Sequence, residues 1–388
     1  MIRKSDVQWW VLEAKKHPES APAIIEELAQ RLTDVDAENE RLRDEIVRLQ
    51  RRTPTAADTA ELRALRRKVA RLRRLLDGEA SNEPAVVLLS GRLQSARVPL
   101  SEAQRLAREG QPIAGSDAPL GLRSDACRPR LLLVARPRDE LLLVTNHGRG
   151  LKMRPADVPL LDDEEGWPEI GHAELAADER LTAAVVVAVA RPPRFWTIVT
   201  RRGYVRQFLR IEVDHRLARG EPLIESPLHN DAPVAIVNGD EGDLLVLTRW
   251  GKGVRFPQRA IAGPGAVALE LDRDDEAVAA LSLPSDTRIM IVTASGFAIR
   301  RDTGQIAARS RPGGTGKSLI QAFDVLGGFP CERPARLLYL TYSGKLALES
   351  TADVPLGQRS GKGSRLRDFS RDPAVAVAVV PEPAETRP

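Results

Sequence analysis

The side chains in this chain best equipped for chemistry are arginines and lysines set close to glycine, and the chemistry they offer is phosphate binding. They fall in groups: Arg149 and Lys152; Arg201, Arg202, Arg206 and Arg210; Lys252 and Arg255; Arg300 and Arg301; Arg311 and Lys317; Arg359, Lys362 and Arg365. Glycine beside a cation lets a backbone approach a phosphate closely, and consecutive backbone amides can add to its binding. Bond-making chemistry has no comparable support. His17, His147, His172, His215 and His229 show no metal-ligand spacing, and Cys127 and Cys331 lie too far apart in sequence to suggest a zinc knuckle or a disulfide framework. The run Gly313-Gly-Thr-Gly-Lys-Ser318 approaches a nucleotide-binding loop, but that pattern needs glycine where Arg311 stands. It reads instead as a basic, glycine-rich rim. Asp272, Asp274, Asp275 and Glu276 read as an exposed turn before an apolar run. No catalytic residue, metal or cofactor is expected.

Six short motifs supply the elements that must position these cations. Each is an aliphatic run, a Thr or Ser, and a Gly-centred turn: residues 87–91, 143–148, 198–203, 246–251, 291–296 and 339–344. Their glycines are 57, 55, 48, 45 and 48 residues apart. A unit of that length cannot bury its apolar face alone, so the recurrence predicts an array of like modules. Further apolar runs at 131–135, 183–190, 234–237, 277–283 and 374–380 lie between or after the motifs and carry a strand signal. Each unit is therefore expected to supply about four strands. Six such units closing on themselves over residues 85–381 form an all-β, propeller-like disc with few exposed edges, followed by a disordered tail at 382–388.

Residues 1–27 read as a helical segment and 28–77 as a coiled coil. Leu28, Leu32, Val35, Asn39, Leu42, Ile46 and Leu49 alternate steps of four and three, a heptad seam with a polar a position. Pro54 interrupts it, and Leu62, Leu65, Val69, Leu72 and Leu76 set a second register. A parallel homodimer is the preferred reading, with an intrachain hairpin across Pro54 as the alternative. Residues 78–84 form a linker by composition. Residues 1–45 carry 7 basic and 11 acidic side chains, 46–76 carry 10 and 2, and the chain from 84 onward 41 and 38. The repeat region is thus nearly balanced, and any polyanion must meet charge sorted onto one rim. No apolar run approaches the roughly 20 residues of a membrane helix, and MIRKSDVQWW lacks a signal-peptide core. A cytoplasmic location without membrane contact is expected.

The repeats resemble the C-terminal domain of the DNA gyrase A subunit, and that of its topoisomerase IV counterpart, a six-bladed β-pinwheel. The blade pattern is clearest in Ile198-Val-Thr-Arg-Arg-Gly-Tyr-Val-Arg-Gln-Phe208. Gln358-Arg-Ser-Gly-Lys-Gly363 resembles the basic box of that family, one residue shorter and in the last blade instead of the first. The family's basic residue three positions past the turn glycine is matched by Arg206. Lys152, Arg255 and Arg300 stand at the fourth position, which reverses the face unless a bulge intervenes. The resemblance implies sequence-tolerant binding and bending of double-stranded DNA, located at the nucleoid, with a topoisomerase or nucleoid protein as possible partner. Tyr204, Tyr339 and Tyr342 all lie within blades, so none matches the nucleophile of the family's cleavage core, and no enzyme activity is expected. The competing expectation is a protein-interaction scaffold that binds no DNA.

Overall fold

The structure is a computed structural model that describes residues 83–110, 113, 129–161, 175–190, 192–226, 228–240, 242–357 and 359–380, plus scattered positions between 22 and 69. It divides into two units, Met1–Arg74 and Leu75–Pro388. In the first, every described residue is helical and exposed, including residues 40–44. Of the predicted heptad seam, Leu42 belongs to this stretch; Leu28, Leu32, Val35, Asn39, Ile46 and Leu49 lie outside the described residues. So do the Pro54 break, most of the linker and the tail.

The second unit holds six antiparallel-based sheets, one per repeat. The central strands are Ala85–Ser90, Glu140–Thr145, Phe195–Thr200, Asp243–Thr248, Arg288–Thr293 and Arg336–Thr341. Each is flanked by the outer strand of its own hairpin and by an inner strand that comes later in the repeat. The outer strands are Ser95–Pro99, Gly150–Met153, Tyr204–Leu209, Lys252–Pro257, Phe297–Asp302 and Leu346–Ser350. The inner ones are Pro129–Ala135, Leu181–Val187, Pro233–Asn238, Ala277–Leu283, Val325–Pro330 and Ala374–Val380. The inner strands touch in sequence, and the last meets the first, which closes the ring.

The aliphatic runs of the motifs have a direct physical cause. Side chains alternate along a strand, and each central strand is buried on both faces. In blade 4, Leu244 and Val246 pack with Val199 and Val205 of blade 3. Leu245 and Leu247 pack with Ile289 and Ile291 of blade 5. The other four interfaces repeat this arrangement, down to Val86 and Leu88 of blade 1 against Leu338 and Leu340 of blade 6. Among the described residues there are six cores, one between each pair of neighbouring blades.

The Thr and Gly of the motif build its turn. The glycine N–H donates to the Thr carbonyl, as in Gly203 to Thr200 at 2.9 Å. The Thr Oγ1 accepts the N–H of the residue four on: Tyr204, Lys252 and Lys345 at 3.0, 3.1 and 3.1 Å. Gly251, at φ 76°, shows why glycine is needed: a Cβ there would lie 2.2 Å from the Ile320 carbonyl oxygen. In blade 1 the sequence reading of Gly91 as the turn glycine is two residues out of frame. The equivalent residue is Leu93, which takes the left-handed conformation (φ 63°) and donates to the Ser90 carbonyl.

Sequence reading assigns all four strands of a unit to one blade. The structure differs: the variable stretch after each outer strand crosses to the preceding blade. Ala266–Val267 of repeat 4 pairs with Tyr204 and Val205 of blade 3, and Lys317–Ser318 of repeat 5 with Lys252 and Gly253 of blade 4. Leu356–Gly357 and Ser364–Arg365 of repeat 6 pair with blade 5. A recurrent bond marks four of these crossings, from Leu223, Ala268, Leu319 and Leu366 N–H to the carbonyls of Gly148, Gly203, Gly251 and Gly296 at 2.7, 2.7, 2.8 and 2.9 Å. Repeat 1 completes the cycle, with Ile113 donating to Gly344 of blade 6 at 3.1 Å. In repeats 1 and 3 the crossing stretch begins as a helix, Leu100–Glu109 or Arg210–Arg219, each ended by a left-handed glycine.

Candidate nucleic-acid interface

The outer edge of the disc is formed by these exchanged stretches, and three of them share a Gly-x-Gly turn: Gly263-Pro-Gly265, Gly314-Thr-Gly316 and Gly361-Lys-Gly363. Their positions are equivalent because the residues that follow pair at the same height of the preceding blade. The second glycine of each has positive φ, and at Gly363 a Cβ would come 2.4 Å from the Ala298 carbonyl oxygen. The turn is therefore a close-packing device, and its charge varies independently. Residues 305–320 and 356–367 carry three and four basic side chains and no acidic one, whereas the blade 3 equivalent, 256–271, carries one of each sign. The two cationic stretches are joined by a bond from the Gln321 N–H to the Gly361 carbonyl at 2.8 Å. The basic stretches on the neighbouring rims of blades 4 and 5 are thus in direct contact.

Five of the predicted cations are exposed with no ion-pair partner among the described residues: Arg202, Arg311, Lys317, Arg359 and Lys362. Four of them lie on the joined stretches. Gln358, the first residue of the predicted box, is outside the described residues.

The other ten are paired, stacked on a ring, bonded to carbonyls or buried. Arg149 forms a two-pronged pair with buried Glu179, both contacts 2.8 Å. Lys152 lies between Glu140 and Asp214, each at 3.2 Å, and Arg210 is 3.6 Å from Asp214. Arg201 donates to the Asn230 carbonyl at 2.6 Å and approaches Glu276. Lys252 pairs with Asp272. Arg365 is 3.4 Å from Asp368 and lies over Phe297. Arg206 lies over the Phe208 ring at 4.7 Å. Arg255 and Arg301 are largely buried. Arg255, with 11% of its side chain exposed, bridges Asp243 and Asp286 at 2.6 Å each. Arg301 is 6% exposed with Nε and Nη1 unpartnered, and burial lowers its pKa. Arg300 donates to the carbonyls of Cys331 and Glu332 at 3.0 and 2.7 Å.

No bulge absorbs the one-residue offset among the strand cations. Arg206 opposes Ile198, whereas Lys152, Arg255 and Arg300 oppose Leu142, Leu245 and Met290, one step further along their central strands. Side chains at these two positions face opposite neighbours. The irregularity common to all six blades lies elsewhere, at the Thr or Ser against the inner strand.

Sequence patterns with other possible uses resolve structurally. Lys317–Ser318 is a two-residue strand and not the start of a helix, so the Gly313–Ser318 run is no nucleotide loop. Asp275 accepts the Trp250 N–H at 3.0 Å, while Glu276 pairs with Arg249 at 2.9 Å. Asp231 and Asp372 cap the turns of blades 3 and 6 in the same way, each at 2.8 Å. Among the described residues no group of three or more His, Cys, Asp or Glu side chains could hold a metal ion, and no helix is long and apolar enough to cross a membrane.

Glu179 gives a pH-dependent test of this charge pairing. Burial acts to raise its pKa, but the Arg149 guanidinium and the Ala176 N–H outweigh it and hold the carboxyl below the ordinary range. A folded pKa below the unfolded value stabilises above the unfolded pKa, about 4.3, and that stabilisation is lost as pH falls through the folded value. Glu179→Gln is expected to cost about 1–3 kcal/mol near neutral pH. In urea titrations the difference should shrink towards pH ~3.

No family model matches the chain. It is 25% identical over 318 residues to the DNA gyrase A protein of Staphylococcus aureus strain NCTC 8325 / PS 47, which covers 78% of this chain and 35% of that protein. The identity is 24% to the same protein of strain MRSA252. The chain therefore spans about a third of the length of these relatives. Among solved structures it is similar to a DNA gyrase A C-terminal domain, with TM-score 0.63 at 18% identity over 76% of this chain and 99% of that one. It is also similar to the C-terminal domain of DNA topoisomerase IV, with TM-score 0.53 at 20% identity over 77% and 93%. The C-terminal part of the chain is homologous to part of DNA gyrase A, and its repeats form a β-pinwheel.

Proposed function

We propose that the pinwheel binds double-stranded DNA without reading its sequence, along the joined rims of blades 4 and 5, and bends it there. The observation that carries this reading is the pair of linked Gly-x-Gly stretches with seven basic and no acidic side chains. Backbone phosphates are the natural target of cations on glycine turns, and contacts of this kind position DNA without specifying bases. Homology to gyrase A supports the same partner. The short track favours a local bend over a full wrap, because the cations of blades 2 and 3 are largely paired. The chain has no catalytic role in this reading and acts on DNA geometry at the nucleoid, alone or beside a topoisomerase. The predicted coiled coil would join two pinwheels and raise avidity. Sedimentation of the full chain, with and without Leu42→Asp, tests that arrangement.

Binding of a duplex to the full chain should weaken steeply with salt. With roughly five phosphates engaged, the slope of log K against log salt is about −4.5. That is a loss of about 500-fold between ~50 and ~200 mM. Absence of duplex binding at low salt, or binding indifferent to salt, would leave the scaffold reading in its place.

A further inference from the structure

Blade 5 departs at one residue from an acidic position that recurs in four other blades. Two positions before the inner-strand partner of the motif Thr, blades 2, 3, 4 and 6 hold Glu179, Asp231, Asp275 and Asp372. In blade 5 that position is Phe323, and the carboxylate has moved one residue on, to Asp324, which still accepts the Ser295 N–H at 2.8 Å. Phe323 is 75% exposed. Its ring meets Trp250, at the turn of blade 4, edge-to-face with centroids 5.8 Å apart and planes at 77°. Trp250 is itself an exception, since the same turn position holds His147, Arg202, Ser295 and Ser343 in blades 2, 3, 5 and 6. The fold therefore requires neither aromatic where it stands.

The location gives the pair a use. Phe323 lies two residues from Gln321, whose N–H bonds Gly361 between Arg359 and Lys362, and six from Lys317. A large apolar ring, braced by a second ring, thus stands beside the unpaired cations of the rim. Cations hold phosphates, and an exposed aromatic next to them meets the base stack; apolar wedges of this kind unstack a step and kink the duplex.

We infer that Phe323, braced by Trp250, inserts between base pairs of the DNA held by Arg311, Lys317, Arg359 and Lys362, and fixes where the bend falls. This inference rests on the DNA-binding reading above. It adds a distortion of the bases that phosphate contacts alone do not produce.

The test uses the full chain and a duplex of about 30 base pairs carrying 2-aminopurine at successive positions, with affinity measured in parallel. The wild-type protein should raise 2-aminopurine emission at one or two adjacent steps. Phe323→Ala should abolish the rise and weaken binding about tenfold, and Phe323→Trp should restore both. Circular dichroism of both variants should match wild type, since the side chain lies largely outside the core. Wild-type binding with no emission change at any position, or a rise unaltered in Phe323→Ala, would overturn the wedge while leaving phosphate binding intact; the aromatic pair is then a protein contact. No duplex binding by the wild type would overturn both.

Discussion

Combining Arg311→Gln, Lys317→Gln, Arg359→Gln and Lys362→Gln should weaken duplex binding by about 100-fold or more near 0.1 M salt. It should also flatten the salt slope from about −4.5 towards −1, because each phosphate contact contributes about 0.9. The four side chains are exposed and have no ion-pair partner among the described residues, so their removal breaks no internal pair and thermal stability should barely move. The control is sharper than a simple charge count. Lys152→Gln and Lys252→Gln remove the same charge, yet each cation already faces a carboxylate, Glu140 and Asp214 for the first and Asp272 for the second. Their loss should change affinity by less than about threefold. Asp272→Asn, which releases Lys252 towards solvent, should strengthen binding slightly. If all six lysine and arginine changes proved equivalent, general charge rather than the rim of blades 4 and 5 would govern binding.

The contrast between paired and unpaired cations marks the boundary of what the sequence reveals. Sixfold repetition is legible because every blade needs the same turn: a Thr or Ser, whose hydroxyl in blades 1, 3, 4, 5 and 6 accepts an N–H four residues on, and, in five blades, a glycine at positive φ. It is also legible because a central strand buried on both faces must be apolar at nearly every position. Blade 1 escapes because Leu93 adopts the left-handed conformation without being glycine. The exchange of outer strands leaves little local trace, since the donated pieces are two-residue strands such as Ala266–Val267 and Lys317–Ser318. The recurring Gly-x-Gly is the available signal, and its neutral copy at Gly263–Gly265 shows that the turn is structural and the charge optional. Ion pairing between distant parts of the sequence is not legible. Asp214 lies 62 residues from Lys152, and Asp286 lies 31 from Arg255, distances that only the folded ring brings to contact.

Closure of the ring leads to the second large effect. Each repeat completes the blade before it, so repeat 1 must complete blade 6, and Ile113 is where it does so. Its side chain is fully buried in the core shared by Val86, Leu88, Leu338 and Leu340, and its N–H reaches the Gly344 carbonyl. Ile113→Asp places a carboxylate in that core and should destabilise the pinwheel by at least about 3 kcal/mol. Ile113→Val should cost only about 1 kcal/mol. Cooperativity should change along with stability. An intact ring has no terminal blade, whereas an opened one is a linear array whose end units lack a neighbour. Hydrogen exchange in Ile113→Asp should therefore accelerate first in the inner strands Pro129–Ala135 and Ala374–Val380, which flank the seam, before those of blades 3 and 4. Urea unfolding should broaden, with a lower m-value, as these two blades detach from a surviving middle. Uniform acceleration across all six blades, with an unchanged m-value, would mean that the inner strands alone hold the ring shut.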